Sequence, residues 1–347
     1  MWTWETYERT WWNEIYGPQK LCRDLVEAGR IGGCIFFHHS SPLPWAEALR
    51  DQVQEEMQSY ASDLRIVPPV DLRETGWTEQ AVLEAVAPES AQEFLSAMTL
   101  SRFLDRSGAL DGKLVWLYGL PEAAEPVWTE RLAEFAALPG ASRCILLLEV
   151  SGKRYRRKKV RDLSADDYVR GFDVTQLCTM AVGVGRESSR HKEYLTYLCQ
   201  EGAAGDPECL PALLGQRERL LEDPAAVMME ALGLGEQEAV RRVRRAQLKL
   251  LLPLLEDLRI ALLEEHAADC RKLLPFRDEF GNEYHSEYEM ELRHLVYYYN
   301  QGAIRLTREE WARVWTPYDA RNRLMHHMKA LDLSVIGPVL ELAEAIQ

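Results

Sequence analysis

No stretch of the chain approaches the roughly 18–20 consecutive apolar residues that a membrane-spanning helix needs. The nearest run, Leu248–Leu255, is broken by Lys249 and Pro253. The opening residues, Met1 to Arg9, lack the basic start and unbroken apolar core of a signal peptide, so a cytoplasmic protein with no membrane partner is expected. Cysteine is sparse: the 7 residues are scattered and never form Cys-x-x-Cys, which argues against a disulfide framework or a zinc ribbon. Cys34 and Cys144 lie inside apolar runs and read as small core residues. No repeat or low-complexity tract is visible, and Gly-x-x-x-x-Gly-Lys occurs nowhere. Gly183 and Gly185 are too few for a dinucleotide fingerprint, so no cofactor and no metal are expected.

Positive charge is also in short supply. The 41 Lys and Arg face 55 Asp and Glu, a net charge of −14, which taken alone argues against a polyanionic partner. The deficit is uneven, however. Residues 241–347 hold 16 cations and 17 acids, so almost all the excess acid lies in the first 240 residues and the last 107 remain compatible with RNA.

What the chain does have is core material. It is 47% hydrophobic, with 10 Trp and 14 Tyr, which excludes a disordered polymer and at 347 residues suits about two domains. Four β-rich runs, 33–38, 64–70, 113–118 and 143–150, alternate with helical periods at 45–60, 79–97 and 122–137, and a weaker fifth strand is expected near Tyr168–Val174. Apolar strands separated by amphipathic helices predict an α/β domain with a doubly wound, mostly parallel sheet over residues 1–180. A small helical lid (181–235) and an all-α bundle (236–347) are expected to follow, the bundle starting with a long helical pattern over 236–275 and a polar break at Pro275–Ser286. Thr307 and Glu310 form a capping-box signature at the start of one late helix, with helices expected over 307–315 and 317–329.

A five-strand sheet followed by a helical lid resembles the layout of AAA+ and related P-loop ATPases. Where that family carries its phosphate loop, this sequence reads His38-His39-Ser40-Ser41-Pro-Leu-Pro-Trp45, without the glycine, lysine and Ser/Thr. The resemblance therefore implies a degenerate, ATPase-like domain that does not hydrolyse ATP; a generic doubly wound domain fits the residues equally well. His38, His39, Ser40 and Ser41 follow a strand's carboxyl end, a place where such sheets bind ligands, and make a candidate ligand pocket. The bland alternative has one histidine facing the sheet and one facing water. The run Lys153–Lys159 places six cations around Tyr155, as a phosphate-gripping loop or as a patch docked on the domain's own acids.

The most informative stretch is Trp315-Thr-Pro-Tyr-Asp-Ala-Arg321-Asn322-Arg323-Leu-Met-His326-His327, preceded by the aromatic helix Met290–Tyr299. It resembles the HEPN superfamily of helical bundles, whose pattern is Arg, four to six residues, then His. The resemblance covers residues 240–347. It implies a metal-independent endoribonuclease, acting as a homodimer, in which Arg321, Asn322 and His326 are catalytic and Arg323 and His327 assist in binding phosphate. It further implies an effector of a prokaryotic defence or toxin-like system, with partner proteins drawn from that system. On a helix Asn322 and His326 share a face, whereas Arg321 lies about 140° from His326. His suits the role of base, and Arg suits the charge that gathers on phosphorus. Equally, Arg321 and Arg323 can be surface residues paired with Asp319, Glu309 or Glu310. Arg241, Arg245 and Lys249 form a helical stripe that would meet RNA phosphates or merely counter Glu236 and Glu238. Two other readings stay open: a non-catalytic adaptor that dimerises and binds a partner ATPase, and a small-ligand sensor using the 38–45 segment.

Overall fold

A strand made almost wholly of apolar residues has no side to turn to water, so the sheet it joins must be covered on both faces. The computed structural model describes residues 2–94, 98–278, 281–326 and 329–345. It divides into two compact units, Trp2–Leu177 and Cys178–Gln347, with the division inside the helix Gly171–Gly183.

The first unit is a doubly wound α/β domain. Its strands are β1 (Gly33–His38), β2 (Arg65–Ile66), β3 (Val70–Asp71), β4 (Lys113–Tyr118), β5 (Ile145–Val150) and β6 (Arg161–Ser164). All pair in parallel in the order β2-β4-β5-β1-β6, and β3 continues the β2 edge along β4. Pro68 and Pro69 lack amide hydrogens, so the expected run at 64–70 breaks into two short edge strands. Cys34, Phe36, Val115, Leu117, Leu146 and Leu148 pack with the helices Glu79–Val86, Leu100–Ser107 and Glu125–Ala136. The alternate residues Ile35, Phe37, Leu114, Trp116 and Leu147 are buried toward the helices Tyr16–Arg30 and Ala46–Tyr60.

The fifth strand lies earlier than the sequence suggested. Arg161-Asp162-Leu163-Ser164 pairs with β1, while Gly171–Gly183 is helical. A polar strand at a sheet edge carries no apolar run to betray it. At the start of the helix the Asp173 carboxylate accepts the Arg170 amide at 2.7 Å and the Gly17 amide at 3.1 Å.

The second unit is helical around the 30-residue helix Glu236–Glu265, which buries Val243, Leu250, Leu251, Leu254, Leu258 and Leu262. The segment 181–235 contributes the helices Ser189–Ala203, Leu210–Leu214, Arg217–Glu222 and Pro224–Leu232, and the first and last of these pack on that long helix within the same unit. Gln247, fully buried, donates to the Tyr194 hydroxyl (3.0 Å) and the Leu331 carbonyl (2.8 Å), and accepts the Leu331 amide (2.8 Å). The polar break at 275–286 holds a short hairpin, Phe276–Arg277 with Glu283–Tyr284, which the sequence reading did not anticipate. Beyond it come the helices Leu292–Asn300, Arg308–His326 and Leu333–Ala345. Arg308–His326 is one helix with Pro317 inside it, rather than the two expected.

All seven cysteines are free and six are buried; burial pushes the thiols of Cys22, Cys144 and Cys199 up to about 12. Among the described residues no helix is long and apolar enough to cross a membrane. The expected capping box is present: the Glu310 amide donates to Thr307 Oγ1 (3.2 Å) and the Thr307 amide to Glu310 Oε2 (2.6 Å). Thr307→Ala is expected to destabilise the second unit by about 1 kcal/mol, measured by urea denaturation.

Candidate functional site

The helix Arg308–His326 brings part of the late motif to an open groove of about 750 Å³. Tyr318, Asn322, Arg323 and His326 line it from the helix, and Lys329 and Asp332 line it from the segment that follows. Asn322 and His326 face the same space, as their four-residue spacing requires. Arg321 points elsewhere: its guanidinium pairs with Glu291 at 3.0 Å. Arg323 is the arginine at the groove, and it pairs with Asp319 one turn back at 2.9 Å. Such exposed pairs are worth about 0–1 kcal/mol, so the guanidinium is readily given up to an incoming anion. His327 lies outside the described residues.

The cationic stripe on the long helix is exposed but largely matched. Arg241 pairs with Glu238, and Lys249 pairs with Glu201 at 2.6 Å; Arg245 is exposed on the same stripe. The loop 153–159 is likewise held by the unit's own acids. Arg154 pairs with Asp162 and Asp167 at 2.8 Å each, and Arg157 pairs with Glu130 at 3.2 Å.

A second cluster sits at the carboxyl ends of β1 and β5, whose onward connections leave toward opposite edges of the sheet, the kind of crevice where such folds bind ligands. Glu149, on β5, is only 5% exposed. Arg50 donates to it through two nitrogens (2.8 and 3.1 Å), and Trp116 Nε1 donates at 2.8 Å. His39 Nε2 lies 3.7 Å from its other oxygen, and the Arg50 guanidinium sits 3.7 Å from the centre of the Tyr118 ring. Burial pushes the Glu149 carboxyl up, but hydrogen bonds and charge from His39 and Arg50 hold it below its ordinary value. Burial likewise works against a charged His39, yet Glu149 and the Ser41 carbonyl raise its pKa above the imidazole norm.

His38 Nε2 lies 3.2 Å from the Tyr155 amide and 3.0 Å from Asp162, and burial lowers its pKa against the pull of that carboxylate. Ser40 donates through both amide and hydroxyl to Asp166, at 3.2 and 2.9 Å. His38, His39 and Ser40 are thus engaged with three different acids, while the Ser41 carbonyl meets His39 Nδ1 at 3.0 Å. The sequence reading missed Arg50, Trp116 and Glu149; the one available signal was a glutamate inside the run Ile145–Val150. Among the described residues no group of three His, Cys, Asp or Glu is placed to hold a metal ion.

Removing one partner of a buried ion pair strands the other. Arg50→Met is therefore expected to cost about 3–5 kcal/mol, with much of it recovered in Arg50→Met/Glu149→Leu, as read by chemical denaturation. The raised His39 pKa gives a pairing that stabilises fully below about 6.5 and is lost as pH rises through the folded value. Glu149 works in reverse, stabilising above about 4.3 and losing its contribution as pH falls through its depressed value. The gap in melting temperature between the wild type and His39→Gln should accordingly narrow from about pH 5.5 to about pH 8.5; a gap that widens would refute the pairing.

No protein-family model matches the chain, and comparisons with curated proteins and with solved structures returned no match either.

Proposed function

We propose that the second unit is a metal-independent endoribonuclease, working as a cytoplasmic homodimer, and that the first unit is a docking or sensing module without ATP hydrolysis. One observation carries this reading: Asn322, Arg323 and His326 line a single open groove with Lys329 beside them. The resemblance of Arg321-Asn322-x-x-x-His326 to the HEPN pattern supports it, with the cationic role moved from Arg321 to Arg323. His326 takes the proton of a ribose 2′-hydroxyl, and the freed oxygen attacks the adjacent phosphorus. The 5′-oxygen leaves and takes a proton from a water, His326 returns its proton to the hydroxide so formed, and the products are a 2′,3′-cyclic phosphate and a 5′-hydroxyl. Arg323 and Lys329 meet the charge that builds on the phosphoryl oxygens, and Asn322 donates to one of them. A role as effector of a defence or toxin-like system, with partner proteins from that system, follows from the same resemblance.

A second reading, a non-catalytic adaptor that dimerises and binds partner proteins, leaves Arg323 in its pair with Asp319.

Labelled RNA incubated with the full chain in EDTA should be cut to cyclic-phosphate ends. His326→Ala should slow cleavage by about a hundredfold or more, and Arg323→Ala by a similar factor. Arg321→Ala should have little effect. Intact RNA under all conditions would leave the adaptor reading standing, and a strictly monomeric chain in light scattering would count against both.

A further inference from the structure

The groove is one end of a longer stripe. Trp311, Trp315, Tyr318, Asn322 and His326 recur at steps of three and four residues and so share one face of the helix Arg308–His326. Tyr299 stacks on Trp311 with centroids 4.2 Å apart, and the series continues through Trp315 (5.5 Å) to Tyr318 (5.4 Å). Trp311 and Tyr318 rest partly on the core below, but Trp315 is 43% exposed. An indole this exposed, between two ring neighbours and beside a groove carrying Arg323, His326 and Lys329, is not demanded by packing.

We infer that this aromatic stripe is a stacking track for the bases of single-stranded RNA, delivering the strand to the groove at Asn322, Arg323 and His326. The inference rests on the ribonuclease reading and adds the substrate's strand state and the surface that grips it. Aromatic faces beside a cationic groove are the pairing by which proteins hold single strands without reading their sequence. The Trp311–Trp315 and Trp315–Tyr318 rings are tilted by 33° and 50° rather than stacked on each other. Stacking on an aromatic side chain is open to the unpaired bases of a single strand, not to bases held inside a duplex. The groove's cations favour this occupant over an apolar peptide, and its two acids, Asp319 and Asp332, leave grip on the bases to the rings.

The test is a binding titration of the full-length chain with fluorescein-labelled oligouridine and with a labelled RNA duplex. It is done in the His326→Ala background so that no turnover intervenes, with cleavage by the otherwise wild-type chain measured in parallel. Trp315→Ala should weaken single-strand binding on the order of ten- to a hundredfold, Trp315→Phe should keep most of the affinity, and binding of the duplex should be weak and indifferent to either change. Unchanged affinity in Trp315→Ala, with cleavage intact, would overturn the track and spare the ribonuclease reading. Trp315-dependent binding without any cleavage by the wild-type chain would uphold the track and overturn the ribonuclease reading. No binding and no cleavage would overturn both. If Trp315→Ala changes the molar mass seen by light scattering while RNA affinity stays the same, the stripe is a contact between copies of the chain and the proposal falls.

Discussion

A carboxylate buried within a central strand has to be answered by positive charge and hydrogen-bond donors, and in the first unit that obligation falls on Glu149. Its neighbours on β5 are an isoleucine, three leucines and a valine that need only bulk. Glu149 needs Arg50 from the helix after β1, Trp116 from the adjacent strand, and His39 from the loop beyond β1. Satisfying one side chain therefore orients three elements at the carboxyl end of the sheet. Here the strand turns from His38 into His39 and Ser40, and each of the three engages an acid of the same unit.

The second unit solves its comparable problem with a neutral group. Gln247 is enclosed in the long helix with its amide donating twice and accepting once, so a buried polar side chain ties the helix to Tyr194 and to the turn at Leu331. That turn adjoins the groove, since Leu331 is part of its wall. The Leu331 part of the groove's wall is thus tied to a residue deep in the helical core.

Much of this was legible in the sequence for simple reasons. β1 and β4 coincide with their apolar runs, because a strand covered on both faces must be apolar along its length. Thr307 and Glu310 announced their helix start through local chemistry alone. Asn322 and His326 were paired by helical geometry, which needs no knowledge of the rest of the fold. What escaped depends on distant partners. β6 is polar and recognisable only by its pairing with β1. Arg321 is turned away by Glu291, thirty residues earlier in the chain, and Arg154, Arg156 and Arg157 of the 153–159 run are taken up by acids on three other segments. Spacing places a side chain on a face, but only tertiary neighbours decide what it meets there.

Pro317 gives the stripe on Arg308–His326 a mechanical character that its continuous residue spacing hides. It has no amide hydrogen to offer the carbonyl of Arg313 one turn earlier, so a rung of the helical ladder is missing between the indoles and the polar residues. The helix still runs unbroken from Arg308 to His326, so the burial of Val314, Pro317, Ala320 and Leu324 along its inner face holds the part with the indoles and the part with Asn322 and His326 in one line where the hydrogen bond is missing.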